Sequence, residues 1–271
     1  MAAKLSAFCL LQGNTGLKSS PVSKKAHKPS TSNINQTPLK AKFLYLSINI
    51  LSFIVPFLFS FYPKANFSKK WKFVLPAIIL TAAVFLIWDV IFTELGVWGF
   101  NSRYTLGIHL LGLPVEEILF FFCIPYACLF TYFALNYLIE KDHLFPHQEL
   151  ISSVLIIVLL VLGGYYLHQL YTGVTFILAG LFLAFLVLKL RTRFMGRFYF
   201  AFAVLLIPFF LVNGILTGSF LEEPVVWYNN AENLGIRIGT VPVEDIIYAM
   251  LMLLVSITIA EKLEELARYR R

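Results

Sequence analysis

Two short stretches of this chain place adjacent acids where acids are expensive. Pro114-Val115-Glu116-Glu117 and Pro242-Val243-Glu244-Asp245 each open a long apolar run. A carboxylate at the centre of a membrane helix costs about 2.5–3.5 kcal/mol on insertion scales and less near the ends, so acids kept at such depth point to function. Proline at the first helical position followed by acids is also an ordinary helix start, because carboxylates favour the positive end of the helix dipole. Recurrence of the whole motif in hydrophobic sequence favours chemistry over capping. Paired carboxyls in a low-dielectric site can divide the work, one holding a proton while its neighbour stays ionised, which suits donation of a proton and its later retrieval. Glu116, Glu117, Glu244 and Asp245 are therefore the candidate catalytic residues, and Asp89, late in another apolar run, is a further candidate.

The motifs belong to a longer repeat. Residues 106–118 align without gaps to 234–246, with seven of thirteen positions identical and Glu117 set against Asp245. His109 and Arg237 occupy equivalent places and could face ionised carboxylates. Upstream, Trp98 precedes Asn101 much as Trp227 precedes Asn229. Duplication of a structural unit is the simplest source of such a match.

Composition fixes the solvent in which these units fold. The 271 residues are 59% hydrophobic and 14% charged, with a mean hydropathy of +0.77 and 27 Phe. Soluble domains carry about 25% charged residues. A water-facing surface cannot be covered from this inventory, so the chain reads as an all-α membrane protein. Spanning helices need about 20 apolar residues, and seven are predicted: Phe43–Tyr62, Phe73–Leu95, Pro114–Leu138, Ile151–His168, Gly173–Leu190, Phe198–Thr217 and Val243–Ala260. Helices one to three and five to seven form two three-helix repeats, with helix four as connector. Four helices precede the second unit, so both enter the membrane from the same side and the repeats are parallel. A shared pocket between them is the natural consequence.

The expected organisation is a Ser-, Lys- and Pro-rich, acid-free tail over 1–42, a first repeat over 43–141, a connector over 142–172, a second repeat over 173–262 and a basic tail over 263–271. The first tail has the composition of a disordered segment and resembles a transit peptide or added sequence. Lys64, Lys69, Lys70, Lys72, Lys189, Arg191, Arg193 and Arg197 fall on the loops opposite the acid motifs, as does the basic C-terminus. The positive-inside rule puts that side in the cytoplasm. A bacterial inner membrane is the first expectation and a plastid or other organelle the second. The net charge of +7 reports this topology, and no nucleic-acid partner is expected. Cys9, Cys123 and Cys128 form no metal or redox spacing, and no two His share a helix face at ligand spacing.

At these residues the sequence resembles the membrane-embedded, heterodimer-derived lycopene cyclases in their fused, single-chain form. Pro114–Glu117 and Pro242–Asp245 match the Pro-x-Glu-(Glu/Asp) motif of each homologous domain, and the resemblance spans roughly residues 43–262. It implies a redox-neutral isomerisation, in which an acid protonates the terminal double bond of a linear carotene, a six-membered ring closes, and loss of a ring proton leaves a β-ionone end group. It implies a lipophilic carotenoid partner within the bilayer. No GxGxxG follows a strand, so neither flavin nor nicotinamide is expected. In this reading Glu116 and Glu244 are donor and acceptor, or their anchors, tuned by Glu117 and Asp245. The cation needs electron-rich walls, and Asp89, Trp98, Phe121, Trp227 and Tyr248 are the candidate substrate-binding residues, with Phe120, Phe122, Tyr126 and Trp88 nearby in sequence. Carotenoid hydration at the same end group and proton-coupled transport are the competing readings. The gathering of acids toward one face disfavours a transport path. Oligomeric state and ring type are not legible.

Overall fold

The computed structural model describes residues 39–269, so nearly all of the N-terminal tail expected over 1–42 and the last two arginines lie outside the described residues. Seven apolar helices follow in the expected order: α1 (Leu44–Phe59), α2 (Trp71–Glu94), α3 (Val115–Leu138), α4 (Gln148–Tyr165), α5 (Leu170–Ala184), α6 (Met195–Leu216) and α7 (Val243–Tyr269). Six of the helical stretches are long and apolar enough to cross a membrane, while α1, at 16 residues, is shorter. The chain is an all-α, multi-pass membrane protein. In lipid a helix satisfies its own backbone groups, which is why segments this apolar adopt no other form. One boundary differs from expectation. The sequence breaks the apolar run at Ala260, yet α7 continues to Tyr269, because Lys262–Glu265 and Glu264–Arg268 pairs support the polar extension at helical spacing.

Short ribbons cover the end where the acids gather. β1 (Trp98–Phe100) pairs antiparallel with β4 (Val226–Tyr228). Two tight hairpins, β2 (His109–Leu110) with β3 (Leu113–Pro114) and β5 (Arg237–Ile238) with β6 (Val241–Pro242), lead directly into α3 and α7. The hairpins solve one problem in two ways. Two-residue loops need positive φ where the strand twist is matched, and the first turns on Leu111 and Gly112 (φ 55° and 83°), the second on Gly239 (φ 65°).

The duplication is visible atom by atom. The offset that carries Leu106 onto Leu234 also carries β1 onto β4, Trp98 onto Val226 and Phe100 onto Tyr228. The register Trp98↔Tyr228, Gly99↔Trp227, Phe100↔Val226 maps onto itself under that exchange, so a local two-fold axis passes between Gly99 and Trp227. Backbone bonds repeat with it: Asn101 N–H to Val225 O and Asn229 N–H to Val97 O, both 2.8 Å, and Val115 N–H to Ile108 O beside Val243 N–H to Ile236 O. The structural equivalence differs from the sequence pairing of the tryptophans. Trp98 corresponds to Val226, and Trp227 stands opposite its own counterpart, Gly99, where any Cβ would collide with the indole. Trp227 needs the empty side of a glycine to lie across the ribbon.

The connector α4 packs along α5 through small residues, the usual device where lipid gives no hydrophobic drive for association. A Cβ at Gly163 would sit 2.9 Å from Ile177, and one at Gly180 would sit 2.9 Å from Leu160, whereas Gly164 faces open space. Gly180→Leu should therefore lower the melting temperature of the detergent-purified protein by several degrees, and Gly164→Leu should leave it unchanged. Equal effects of the two would refute this account of the interface.

Candidate active site

The first turn of α3 and of α7 brings each acid pair to the same depth, and the two members of each pair diverge. Glu116 and Glu244 are fully buried. Each turns back on the loop that precedes its own helix. Glu116 Oε1 accepts the Leu106 N–H at 2.7 Å, and Glu244 Oε1 accepts the Leu234 N–H at 2.8 Å and the Thr172 hydroxyl at 2.7 Å. A carboxylate fastened to the loop amide in this way fixes where the hairpin meets the helix. Neither residue lines the cavity between the repeats.

Glu117 and Asp245 do line it, together with Asp89. The cavity holds about 90 Å³ and sits on the local two-fold axis. Its walls come in equivalent pairs: Tyr45 with Tyr171, Phe100 with Tyr228, Phe120 with Tyr248, Phe121 with Ala249, Ile124 with Met252 and Glu117 with Asp245. The offset that carries Trp71, the first residue of α2, onto Met195, the first of α6, carries Asp89 onto Asn213, and both face the cavity. A four-acid ring implied by duplication is thus three acids and an amide.

Each carboxyl has its own donors. Tyr45 OH donates to Glu117 Oε2 at 2.5 Å, and Tyr171 OH donates to Asp245 Oδ1 at 2.5 Å. Tyr228 OH adds a second bond to Asp245, at Oδ2, 2.9 Å away. Burial and the adjacent Asp245 hold the Tyr228 phenol well above its ordinary pKa, so it remains a donor. Trp98 Nε1 donates to Asp89 Oδ1 at 2.6 Å, while Asp89 Oδ2 and the Tyr248 hydroxyl are buried without a partner. Asp245 thus accepts one phenolic donor on each oxygen, and Asp89 keeps one oxygen without a partner.

Of the residues singled out in sequence, the structure brings Asp89, Trp98, Glu117, Phe121, Asp245 and Tyr248 together around one space. It sets Glu116 and Glu244 behind that space and leaves Trp227 outside it, 45% exposed. Phe120 joins the wall. Phe122 is 37% exposed, and the Tyr126 hydroxyl bonds Ser60 and Trp71 away from the cavity. His109 bonds the Gly107 carbonyl, and Arg237 bonds Thr240 O and Asn230, so neither pairs with a motif acid. Glu94 is exposed. The sequence reading missed the three phenols. A signal existed: Tyr45 and Tyr171 lie 72 and 74 residues ahead of the acids they serve, the same place in each unit. Among the described residues no group of three or more His, Cys, Asp or Glu side chains lies close enough to hold a metal ion.

A family model described as lycopene cyclase matches residues 42–135 and 168–263, well over half of the chain. This chain belongs to the lycopene cyclase family. The gap between the matched segments contains α4, so the family pattern falls twice, once on each three-helix unit. No curated protein and no solved structure matches the chain. Family membership makes it an enzyme of carotene cyclisation, acting on a carotenoid in a hydrophobic membrane environment.

The geometry separates fold from chemistry within one motif. Glu116→Ala strands the part-buried Leu106 N–H, a loss of about 1 kcal/mol, whereas Glu116→Gln keeps an acceptor there. The alanine variant should show a clear fall in yield and melting temperature of the purified protein, and the glutamine variant little change. If the two variants melt alike, the loop-anchoring account of Glu116 fails.

Proposed function

We propose that this cyclase forms β-ionone rings by proton-initiated cyclisation in which the cavity-facing acids, rather than the first acids of the motifs, carry the proton. The observation that supports this most is the division of each pair, with Glu117 and Asp245 in the shared cavity beside Asp89. Asp89, steadied by Trp98 and with Oδ2 free, is the proposed donor. Its proton adds to the inner, hydrogen-bearing carbon of the terminal double bond, which leaves a tertiary cation on the outer, dimethyl-bearing carbon. The next double bond along the chain attacks that cation and closes the six-membered ring. The charge moves onto a ring carbon, and Glu117 takes the proton from its neighbour to form the ring double bond. One proton enters and one leaves, so the product is an isomer and no electrons are exchanged with a partner.

Asp245 has a different task in this scheme. Its two phenolic donors favour the ionised form, and an anion across the cavity offsets the passing positive charge. The walls suit such a cation. Trp98 packs against Phe92 and Tyr171 with ring centroids 5.0 Å away, and Tyr248 lies 6.2 Å from it. Aromatic faces stabilise a cation by about 0.5–2 kcal/mol each and do not capture it as a nucleophile would.

Orientation follows from charge. Lys70, Arg191, Arg193, Arg197, Lys262 and Arg268 surround the end of the bundle opposite the acid cavity. That end is proposed to be cytoplasmic, with the chemistry in the outer half of the bilayer.

The test is expression in a lycopene-accumulating bacterium with analysis of the pigments. Wild-type protein should yield cyclic carotene with β rings. Well-inserted protein that leaves lycopene untouched would sink the reading, and a hydroxylated acyclic product would identify capture of the cation by water instead. Asp89→Asn, Glu117→Gln and Asp245→Asn should each lower conversion about 100-fold or more, the range of general acid–base catalysis. Glu116→Gln and Glu244→Gln should retain most of it. The reverse pattern would return the chemistry to the first acid of each motif.

A further inference from the structure

Duplication should give this protein two equivalent clefts leading sideways from the cavity, and it has kept one open. Between α3 and α6 a second space of about 190 Å³ continues from the acid-lined cavity and shares Ile124, Phe209, Asn213, Ala249 and Met252 with it. It is almost wholly apolar and runs along α6 from Asn213 to Phe202, about 16 Å at 1.5 Å per residue. Pro208, one of its lining residues, is exposed on the flank of the bundle where lipid would lie.

The equivalent interface, between α7 and α2, is packed closely by comparison. Where the open side has Val212, the closed side has Trp88, and where the open side has Ala249, the closed side has Phe121, buried to 2% exposure. Trp88 fills the space by packing edge-on against Tyr248 at 5.0 Å and Phe92 at 5.6 Å, and tilted against Phe85 at 5.6 Å. Farther along, Ser256 donates to Thr81 at 3.1 Å and ties α7 to α2, where Cys128 and Leu205 stand on the open side and make no such bond. Larger side chains and a closer approach of its two helices together shut the cleft between α7 and α2.

We propose that the α3–α6 cleft holds the polyene chain of the carotene and presents one end group at a time to Asp89, Glu117 and Asp245. This rests on the cyclase reading and adds to it the route and the seat of the substrate. A long apolar chain is the occupant because the cleft is apolar along its length, open to lipid, and continuous at its inner end with the cavity lined by Asp89, Glu117 and Asp245.

Filling the open cleft with the side chain of the closed one gives the test. Ala249→Phe and, independently, Val212→Trp should lower conversion of lycopene at least tenfold. Each should also reduce co-purification of lycopene with the detergent-solubilised protein, at unchanged melting temperature. Thr131→Phe, at the outer end of the cleft and far from the carboxyls, should do the same and is the variant that decides if Ala249→Phe does not fold. Folded variants with at least half of the wild-type conversion and lycopene retention would overturn the cleft. Failure of the wild type to cyclise lycopene would instead overturn the cyclase reading. Retention of lycopene by that inactive wild type, lost in Thr131→Phe, would still establish the cleft.

Discussion

A carboxylate carried to membrane depth must find its hydrogen-bond donors within the protein, because the bilayer offers none. Everything distinctive about the acid end of this bundle answers that requirement. The strand pairs and hairpins there are the only β structure among the described residues, and they turn loop amides inward. Leu106 and Leu234 give their N–H groups to Glu116 and Glu244, so the first acid of each motif is consumed in holding the loop that supplies its own donor. The second acid is then free to face the cavity. There its donors come from helices outside its own: Tyr45 on α1 for Glu117, and Tyr171 on α5 for Asp245. Each acid therefore binds its three-helix unit together.

The two-fold relation was largely readable from the chain, since an ungapped match around Pro-Val-Glu-acid-Ile in two apolar contexts requires a common origin for both stretches. The seven apolar stretches were readable for the same reason that membrane helices generally are: twenty residues without polar backbone partners have one structure available. The division of labour within each acid pair was not readable. Adjacent residues on a helix point about 100° apart, so Glu116 and Glu117 face different surroundings, but the choice of which faces inward depends on the hairpin angle at Pro114. That hairpin turns on a positive φ at Leu111, a residue type that gives no warning of it.

The phenols escaped notice because tyrosine in an apolar run is commonplace at membrane interfaces. Only the partner's position, more than seventy residues away, marks Tyr45 and Tyr171 as donors. The tryptophans mislead in the opposite direction. Trp98 and Trp227 look like a repeated pair in sequence, yet the strand register makes Gly99 the counterpart of Trp227. Close approach at a two-fold axis permits one large side chain where the symmetric arrangement would require two to occupy the same space.

That steric exclusion at the axis is the general clue to how the molecule differs from a symmetric dimer of its halves. Near an axis, equivalent residues meet, and identical side chains either pair or collide. Fusion of two units in one chain lets each position be resolved separately: Trp227 over Gly99, Asp89 against Asn213, Phe121 and Trp88 against Ala249 and Val212. The consequences run in one direction. Replacing one of four cavity acids by Asn213 removes a like charge and leaves a polar group that needs no proton, which makes the remaining three inequivalent. Aromatic side chains fill the flank between α7 and α2, and the flank between α3 and α6 stays open. A symmetric site would offer two directions of approach and two equal donors to a substrate whose end must be held in one pose. The divergence of the halves supplies one open cleft, an Asp89 oxygen without a partner and an Asp245 carboxyl with two phenolic donors, and these are the asymmetries that the proposed delivery and retrieval of a proton would use.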